Sequence, residues 1–285
     1  MTEFLLAHES TLRLAIFLGV LALMAIWELA APRRRQQIPR LLRWSNNLAL
    51  VVIDTLVLRF SFPVLAVGLA LAAEAKGWGL FQVLALPGWL AVLLAIVALD
   101  LVIYLQHVMF HAVPALWRLH RMHHADLEFD VTTGLRFHPL EIMASMAIKL
   151  AAVAALGPPA VAVLIFEVVL NATAMFNHSN IRLPLPLDRL LRLAVVTPDM
   201  HRVHHSVIPA ETNSNFGFNL PWWDRLFGTY RAQPRAGHDG MSIGIEQFRV
   251  PRELWLDRML LQPLRGAGRD QPTNHNREGQ SARRD

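Results

Sequence analysis

The chain has 285 residues, of which 54% are hydrophobic and only 17% charged, a smaller charged share than soluble domains carry. Cysteine is absent, which excludes disulfides, iron–sulfur clusters and thiolate zinc sites. The net charge of +5 comes mainly from arginine, and no basic stripe is interleaved with exposed aromatics, so the charge points to membrane topology rather than nucleic-acid binding.

A first apolar run, Leu12 to Ala31, is long enough to span a bilayer. Pro32-Arg33-Arg34-Arg35 follows it, with Arg40 and Arg43 beyond. A signal peptide carries its positive charge before the apolar core, so this is read as a retained helix. A second run, Leu48 to Ala73, is interrupted by Asp54 and Arg59, which are expected to make polar contacts inside a bundle. Glu74 to Pro87 reads as an interfacial loop, and a third run, Gly88 to Gln106, leads into the first histidine pair. A further apolar stretch, residues 142–176, is broken by Gly157-Pro158-Pro159, the tip of a helical hairpin. Its arms are near the lower limit for a span, so a full crossing and a re-entrant hairpin both fit. The positive-inside rule puts the arginine cluster in the cytoplasm, the amino terminus outside and the histidine segments inside. After Gln262 the chain is polar and expected to be disordered.

The histidines carry the chemistry. His107 and His111 form HxxxH; His120, His123 and His124 form HxxHH, as do His201, His204 and His205. Residues three and four apart share a helix face, so each HxxHH is expected to aim its imidazoles at one point. Neutral imidazole is a common ligand of iron, zinc, copper and nickel, and eight such residues exceed the needs of one ion. Asp100 and Tyr104 share the face of His107 and His111, as groups that either orient these histidines or pair elsewhere in the bundle. Glu167, Asn171 and His178 form another stripe, which makes His178 a ligand candidate. His138, before Pro139 and near Glu141, is undecided by spacing alone. Asp126, Glu128, Asp130 and Asp199 lie near the boxes and are candidates to orient ring N–H groups. Trp222 and Trp223 suit either a membrane interface or packing beneath the histidine segments, residues 213–218 a loop near the last box, and His238 the surface.

These boxes resemble those of the sterol desaturase/fatty acid hydroxylase superfamily. Phe137-His138-Pro139-Leu140-Glu141, Asn177-His178-Ser179 and Trp222 to Thr229 resemble segments of its sterol 4-methyl oxidases. The resemblance implies an all-α integral membrane bundle, three spans plus the hairpin, under a cytosolic histidine-rich helical cap. It implies two non-haem irons, replaceable by zinc in recombinant material, held by His107, His111, His120, His123, His124, His201, His204 and His205. His138 and His178 match the isolated histidines of the sterol-oxidase pattern and would make ten ligands, with Asp100, Tyr104, Asn171 and Asp199 behind them. The partners implied are a bilayer lipid, O2 and a separate ferredoxin- or cytochrome-type donor with its reductase, in a bacterial inner membrane. The expected division is residues 1–99 for the first membrane helices, 100–232 for the catalytic domain, 233–261 for a peripheral segment and 262–285 for the tail. The alternative is a histidine-rich membrane metal-binding or transport protein. A zinc hydrolase needs only three or four ligands.

Overall fold

The computed structural model describes residues 2–84 and 86–266. These are almost wholly helical, with no strand and only two isolated β-bridges among the described residues. Seven helices carry most of the architecture: α1 (Glu9–Ala30), α2 (Arg40–Ser61), α3 (Ala66–Lys76), α4 (Gly88–Ala112), α5 (Pro114–His124), α6 (Pro139–Leu156) and α7 (Ala160–Asn177). Shorter ones follow, including α8 (Leu185–Leu191), α9 (Pro198–His204), α10 (Trp222–Leu226) and α11 (Leu256–Leu261). Five helical segments are long and apolar enough to cross a membrane: Glu9–Ala30, Arg40–Val83, Gly88–Ala112, Pro139–Leu156 and Ala160–Asn177. The chain is an all-α integral membrane protein.

The α6–α7 hairpin is the centre of the bundle. Helices α1, α3 and α4 pack on α7, and α2, α3 and α4 pack on α6. Their core joins Ala66 and Ala70, Leu99 and Ile103, Val153, and Val163 with Phe166. The hairpin tip falls where the Gly-Pro-Pro sequence predicts. Gly157 ends α6 in the left-handed region at φ +58° and lies against Trp78 and Gly79.

Three expectations are corrected here. The second apolar run is not one helix: α2 begins at Arg40 and ends at Ser61, and α3 starts only at Ala66. Pro63 lies in the gap and lacks the N–H needed to continue the helix. Asp54 is buried as expected, but Arg59 is exposed. Residues 262–266 are not a free tail, because Arg121 donates to the Gln262 carbonyl at 2.6 Å and Gln262 is buried. The rest of the predicted tail, with His275, lies outside the described residues.

Two buried carboxylate clusters tie the membrane helices to the loops that carry histidines. Glu28, near the end of α1, accepts from the Val131 N–H at 2.7 Å and the Asn180 N–H at 2.8 Å. Arg43 on α2 forks onto both oxygens of Asp126, at 2.9 and 2.7 Å, and also binds Asp130 and Thr133. Arg43, Asp126 and Asp130 are fully buried. Such a cluster fixes geometry more than it adds net stability, since desolvation offsets the attraction.

A Cβ on Gly157 would lie 2.2 Å from the Trp78 carbonyl oxygen, whereas one on Gly19, inside α1, would meet nothing within 4 Å. Gly157→Ala should therefore lower thermal stability in detergent, losing at least about 1 kcal/mol from the left-handed backbone alone. Gly19→Ala should be neutral or slightly stabilising. Equal melting temperatures for the two variants would contradict the close packing of the hairpin tip.

Candidate metal centre

The histidine helices begin in the same way. Pro114 opens α5 and Pro198 opens α9 at the first helical position, where a missing N–H costs nothing. The Thr197 side chain caps α9 by accepting from the Met200 N–H at 3.3 Å. Both helices are short and end in their histidines, and α4 and α7 deliver His107, His111 and His178 from the membrane side.

Nine histidines converge, in two adjoining groups: His107, His111, His120, His124 and His204 in one, and His123, His178, His201 and His205 in the other. Within each group one nitrogen per ring lies within 4.8 Å of all the others. Each HxxHH box is divided between the groups, contrary to the expectation of one focus per box. The i,i+4 pairs His120/His124 and His201/His205 stay together, while His123 and His204 cross to the opposite group. The i+3 and i+4 directions differ by about 100° around a helix, enough to aim at two neighbouring points. The rings meet at the boundary, with His124 and His205 centroids 4.6 Å apart.

The hydrogen bonds fix which nitrogen faces inward. The Nδ1–H of His107 donates to the Phe216 carbonyl at 2.7 Å, that of His204 to Ser214 at 2.8 Å, and that of His178 to Ala174 at 2.8 Å. His120 donates from Nδ1 to Glu141 at 2.6 Å, and His123 to the Arg136 carbonyl at 3.3 Å. A neutral imidazole with its proton on Nδ1 presents a bare lone pair at Nε2. Yet the Nε2 atoms of His107 and His120 are 3.1 Å apart, and those of His123 and His178 are 3.2 Å apart. Two acceptors cannot hydrogen-bond to one another. Nitrogens about 2.0–2.1 Å from a shared cation would stand at such a separation, so the donor set fits metal ions.

Burial keeps these rings neutral. His120 and His178 are pushed down to about 3 by desolvation, and His123, His124, His201, His204 and His205 well below the usual histidine range, first by burial and then by one another. Aromatic rings complete the lining: Phe216 lies against His107, His111 and His204, and His123 stacks on Phe137 at 4.7 Å.

His138 is not among the nine. It caps α6, its Nδ1 accepting from the Leu140 N–H at 3.1 Å while its Nε2 donates to the Leu260 carbonyl at 3.2 Å. Both ring nitrogens are committed, and the ring serves to hold α11 against the hairpin. Asp126, Glu128, Asp130 and Asp199 do not orient the converging histidines. Asp126 and Asp130 hold Arg43, Glu128 accepts from the Gln37 N–H at 2.7 Å, and Asp199 pairs with Arg202 and Arg33. Burial opposes the charge on Asp126, but Arg43 outweighs it and holds the carboxyl near 2. His238 is buried rather than on the surface, 3.7 Å from Asp199, and burial lowers it to about 4.

Asp100 and Tyr104 act at one remove. Asp100 accepts from the Trp223 indole at 2.8 Å and the Leu220 N–H at 3.3 Å. The Tyr104 hydroxyl bonds Thr229 at 2.9 Å. Both thereby fix residues 216–229, whose Phe216 carbonyl orients His107. Asn171 donates to the Glu167 carbonyl of its own helix and touches no histidine. Glu167 itself is held by Lys149 at 2.6 Å and by Arg13. Glu141 and the carbonyls of Phe216, Ser214, Ala174 and Arg136 escaped sequence reasoning. Glu141 had a signal in its place beside His138, but backbone carbonyls have none.

The fold and these residues define a class: an all-α membrane protein with two adjoining groups of buried imidazoles, able to hold metal, at one end of its helices. Residues 92–229 match the family model described as fatty acid hydroxylase. The chain is 33% identical over 153 residues to an ornithine lipid hydroxylase, OlsE, of Rhizobium tropici, covering 53% of this chain and 45% of that protein. It is 30% identical over 196 residues to an alkylglycerol monooxygenase of Danio rerio, covering 65% and 40%. To the very-long-chain aldehyde decarbonylase GL1-1 of Oryza sativa subsp. indica it is 30% identical over 281 residues, covering 86% and 40%. The chain thus spans less than half the length of these relatives. No solved structure matches it significantly. The chain belongs to the sterol desaturase/fatty acid hydroxylase superfamily.

The neutral histidines set a pH dependence. Each ring has a folded value below its unfolded value of about 6.5, so the unfolded state binds more protons as the pH falls. The metal-free protein should keep full stability above about pH 6.5 and lose it progressively toward pH 3, the folded value of His120 and His178. Every histidine that titrates only on unfolding contributes a slope of up to about 1.4 kcal/mol per pH unit. Thermal unfolding after chelator treatment, measured from about pH 8 to 5, checks this. A flat melting temperature across that range would mean that the rings are not held neutral.

Proposed function

We propose that the chain is a membrane-bound di-iron oxygenase that uses O2 and two electrons to hydroxylate or desaturate a lipid. The reading rests on one observation above the others: two adjoining groups of neutral imidazoles, five and four, whose lone pairs face one another. That number exceeds the three or four ligands of a single zinc. Nine buried histidines at one end of the helices also suit a fixed site better than an ion path through the membrane.

His107, His111, His120, His124 and His204 would hold one iron, and His123, His178, His201 and His205 the other. When bound, the irons supply the activation of O2 that no side chain can provide. The chain's residues supply position and dryness. Glu141 and four backbone carbonyls keep the ring protons on Nδ1, so that Nε2 faces inward. Phe129, Phe137, Phe216 and Phe218 pack around the rings and exclude water. Hydroxylation converts one C–H bond, O2, two electrons and two protons into an alcohol and water. Desaturation removes two hydrogens and yields two waters.

The names of the relatives, an ornithine lipid hydroxylase and an alkylglycerol monooxygenase, support an alkyl chain carried on a polar head as substrate. The electrons come from a separate donor protein of ferredoxin or cytochrome type. Residues 100–232 form the catalytic domain in this reading, residues 1–99 its membrane support and 233–261 a peripheral segment. The site faces the cytoplasm of a bacterial inner membrane, with the amino terminus outside.

His123→Ala and His204→Ala should each lose most bound iron and all turnover, whereas His138→Ala should retain its iron. Elemental analysis of purified protein checks this, and full iron content in either of the first two would refute the assignment. Lipid mass spectrometry of cells with and without the gene reads the reaction. A product heavier by one oxygen indicates hydroxylation, and one lighter by two hydrogens desaturation. No lipid change under aerobic growth would overturn the oxygenase reading.

A further inference from the structure

After the last span the chain leaves the histidine groups and turns back along the membrane helices. Asn177, at the end of α7, donates to the Phe218 carbonyl at 2.9 Å. Asn219 then meets Thr173, one turn lower on the same helix. Leu220 and Trp223 bind Asp100, which stands in the middle of the 25-residue helix α4. A bilayer core accommodates about 20 helical residues. Counted from the Trp89 end of α4, Asp100 then lies about 16 Å from that boundary and about 13 Å inside the one on the histidine side, at 1.5 Å per residue. Helix α8 is fastened at the same level. The Trp222 indole donates to the Leu193 carbonyl at 2.7 Å, Arg225 to the Arg192 carbonyl at 2.7 Å, and the Val196 N–H to the Asn219 carbonyl at 2.9 Å.

The outward surface of this unit is mainly apolar, with Arg225 the exposed charge of α10. Leu190 is 63% exposed, Leu193 62%, Leu226 70% and Phe227 52%, and Leu185 and Trp222 are also exposed. A contiguous patch of this kind does not remain open to water without a partner. Arg182 and Arg189 are exposed beside it, where they suit anionic headgroups.

We propose that α8 and α10 form a monotopic wedge, buried in the bilayer leaflet on the histidine side and fringed by Arg182 and Arg189. The occupant of the patch is the lipid leaflet itself. The depth of Asp100 and Thr173 carries the assignment, because a segment hydrogen-bonded to them cannot stand above the headgroups while α4 and α7 cross the membrane. An in-plane element of this kind lies about 5–10 Å into the headgroup and acyl boundary. The wedge does not depend on the reaction catalysed.

The chain has no cysteine, so an engineered one is a unique label site. Spin labels would be placed at Leu190→Cys and Leu226→Cys in the full chain, reconstituted in vesicles of phosphatidylcholine and phosphatidylglycerol. Leu93→Cys, on the exposed side of α4, serves as the lipid reference and Glu246→Cys as the aqueous one. Both wedge labels should follow the lipid reference, reached by O2 and shielded from an aqueous nickel chelate. Labels that follow Glu246→Cys would overturn the proposal, and so would labels shielded from both reagents, which would indicate a protein partner or a second copy. Trp222 gives an independent reading. Vesicles with brominated acyl chains should quench the native protein more than Trp222→Phe, and equal quenching would count against the wedge.

Discussion

The arrangement of lone pairs dominates this molecule. Buried imidazoles have been turned so that the nitrogens bearing hydrogen point to carbonyls and a carboxylate, and the bare nitrogens point at each other. Without a cation, that geometry is unfavourable, because acceptors face acceptors in a medium with little water to screen them. Hydrogen bonds from the surrounding chain hold five of the nine rings in that pose. The Phe216 and Ser214 carbonyls come from a segment pinned by Asp224, which accepts from the Phe216 N–H at 2.8 Å and the Gly217 N–H at 2.9 Å. The 126–136 loop, which brings the Arg136 carbonyl to His123, is held by Arg43 and Glu28.

Buried charge is therefore used far from the metals as well as near them. Arg43 with Asp126 and Asp130, and Arg202 with Asp199 on α9, are hidden ion pairs beside the histidines. The first couples α2 to the loop after α5, while the second lies within α9 and is tied outward by Arg33 to Asp199 and by Arg202 to the Ser179 carbonyl. Arg202, between His201 and His204, also lies 5.1 Å over the Phe129 ring, which itself packs on His178 and His205. One guanidinium thus braces the second histidine group from behind.

Much of this was legible in the chain. Long apolar runs, the Gly157-Pro158-Pro159 break and the histidine spacing are local signals, and they placed the spans, the hairpin and eight of the nine converging residues. His178 was legible too, from its stripe with Glu167 and Asn171, although of the three only Glu167 and His178 are buried and only His178 reaches the other histidines. The misreadings share a cause. Asp126 and Asp130 are near the boxes in sequence, but their partner is Arg43, more than eighty residues away. His138 carries a family-like segment, yet its capping geometry and the Leu260 carbonyl decide its ring. The division of each HxxHH box depends on where the facing helix stands, and spacing along a single helix does not contain that information.

That division has a mechanical consequence. Helix α5 gives His120 and His124 to one group and His123 to the other, and α9 gives His201 and His205 to one and His204 to the other. Neither short helix can shift or fray without disturbing both groups. The ordering of α5 and α9 is therefore shared, and a displacement that opened one group would open the other with it.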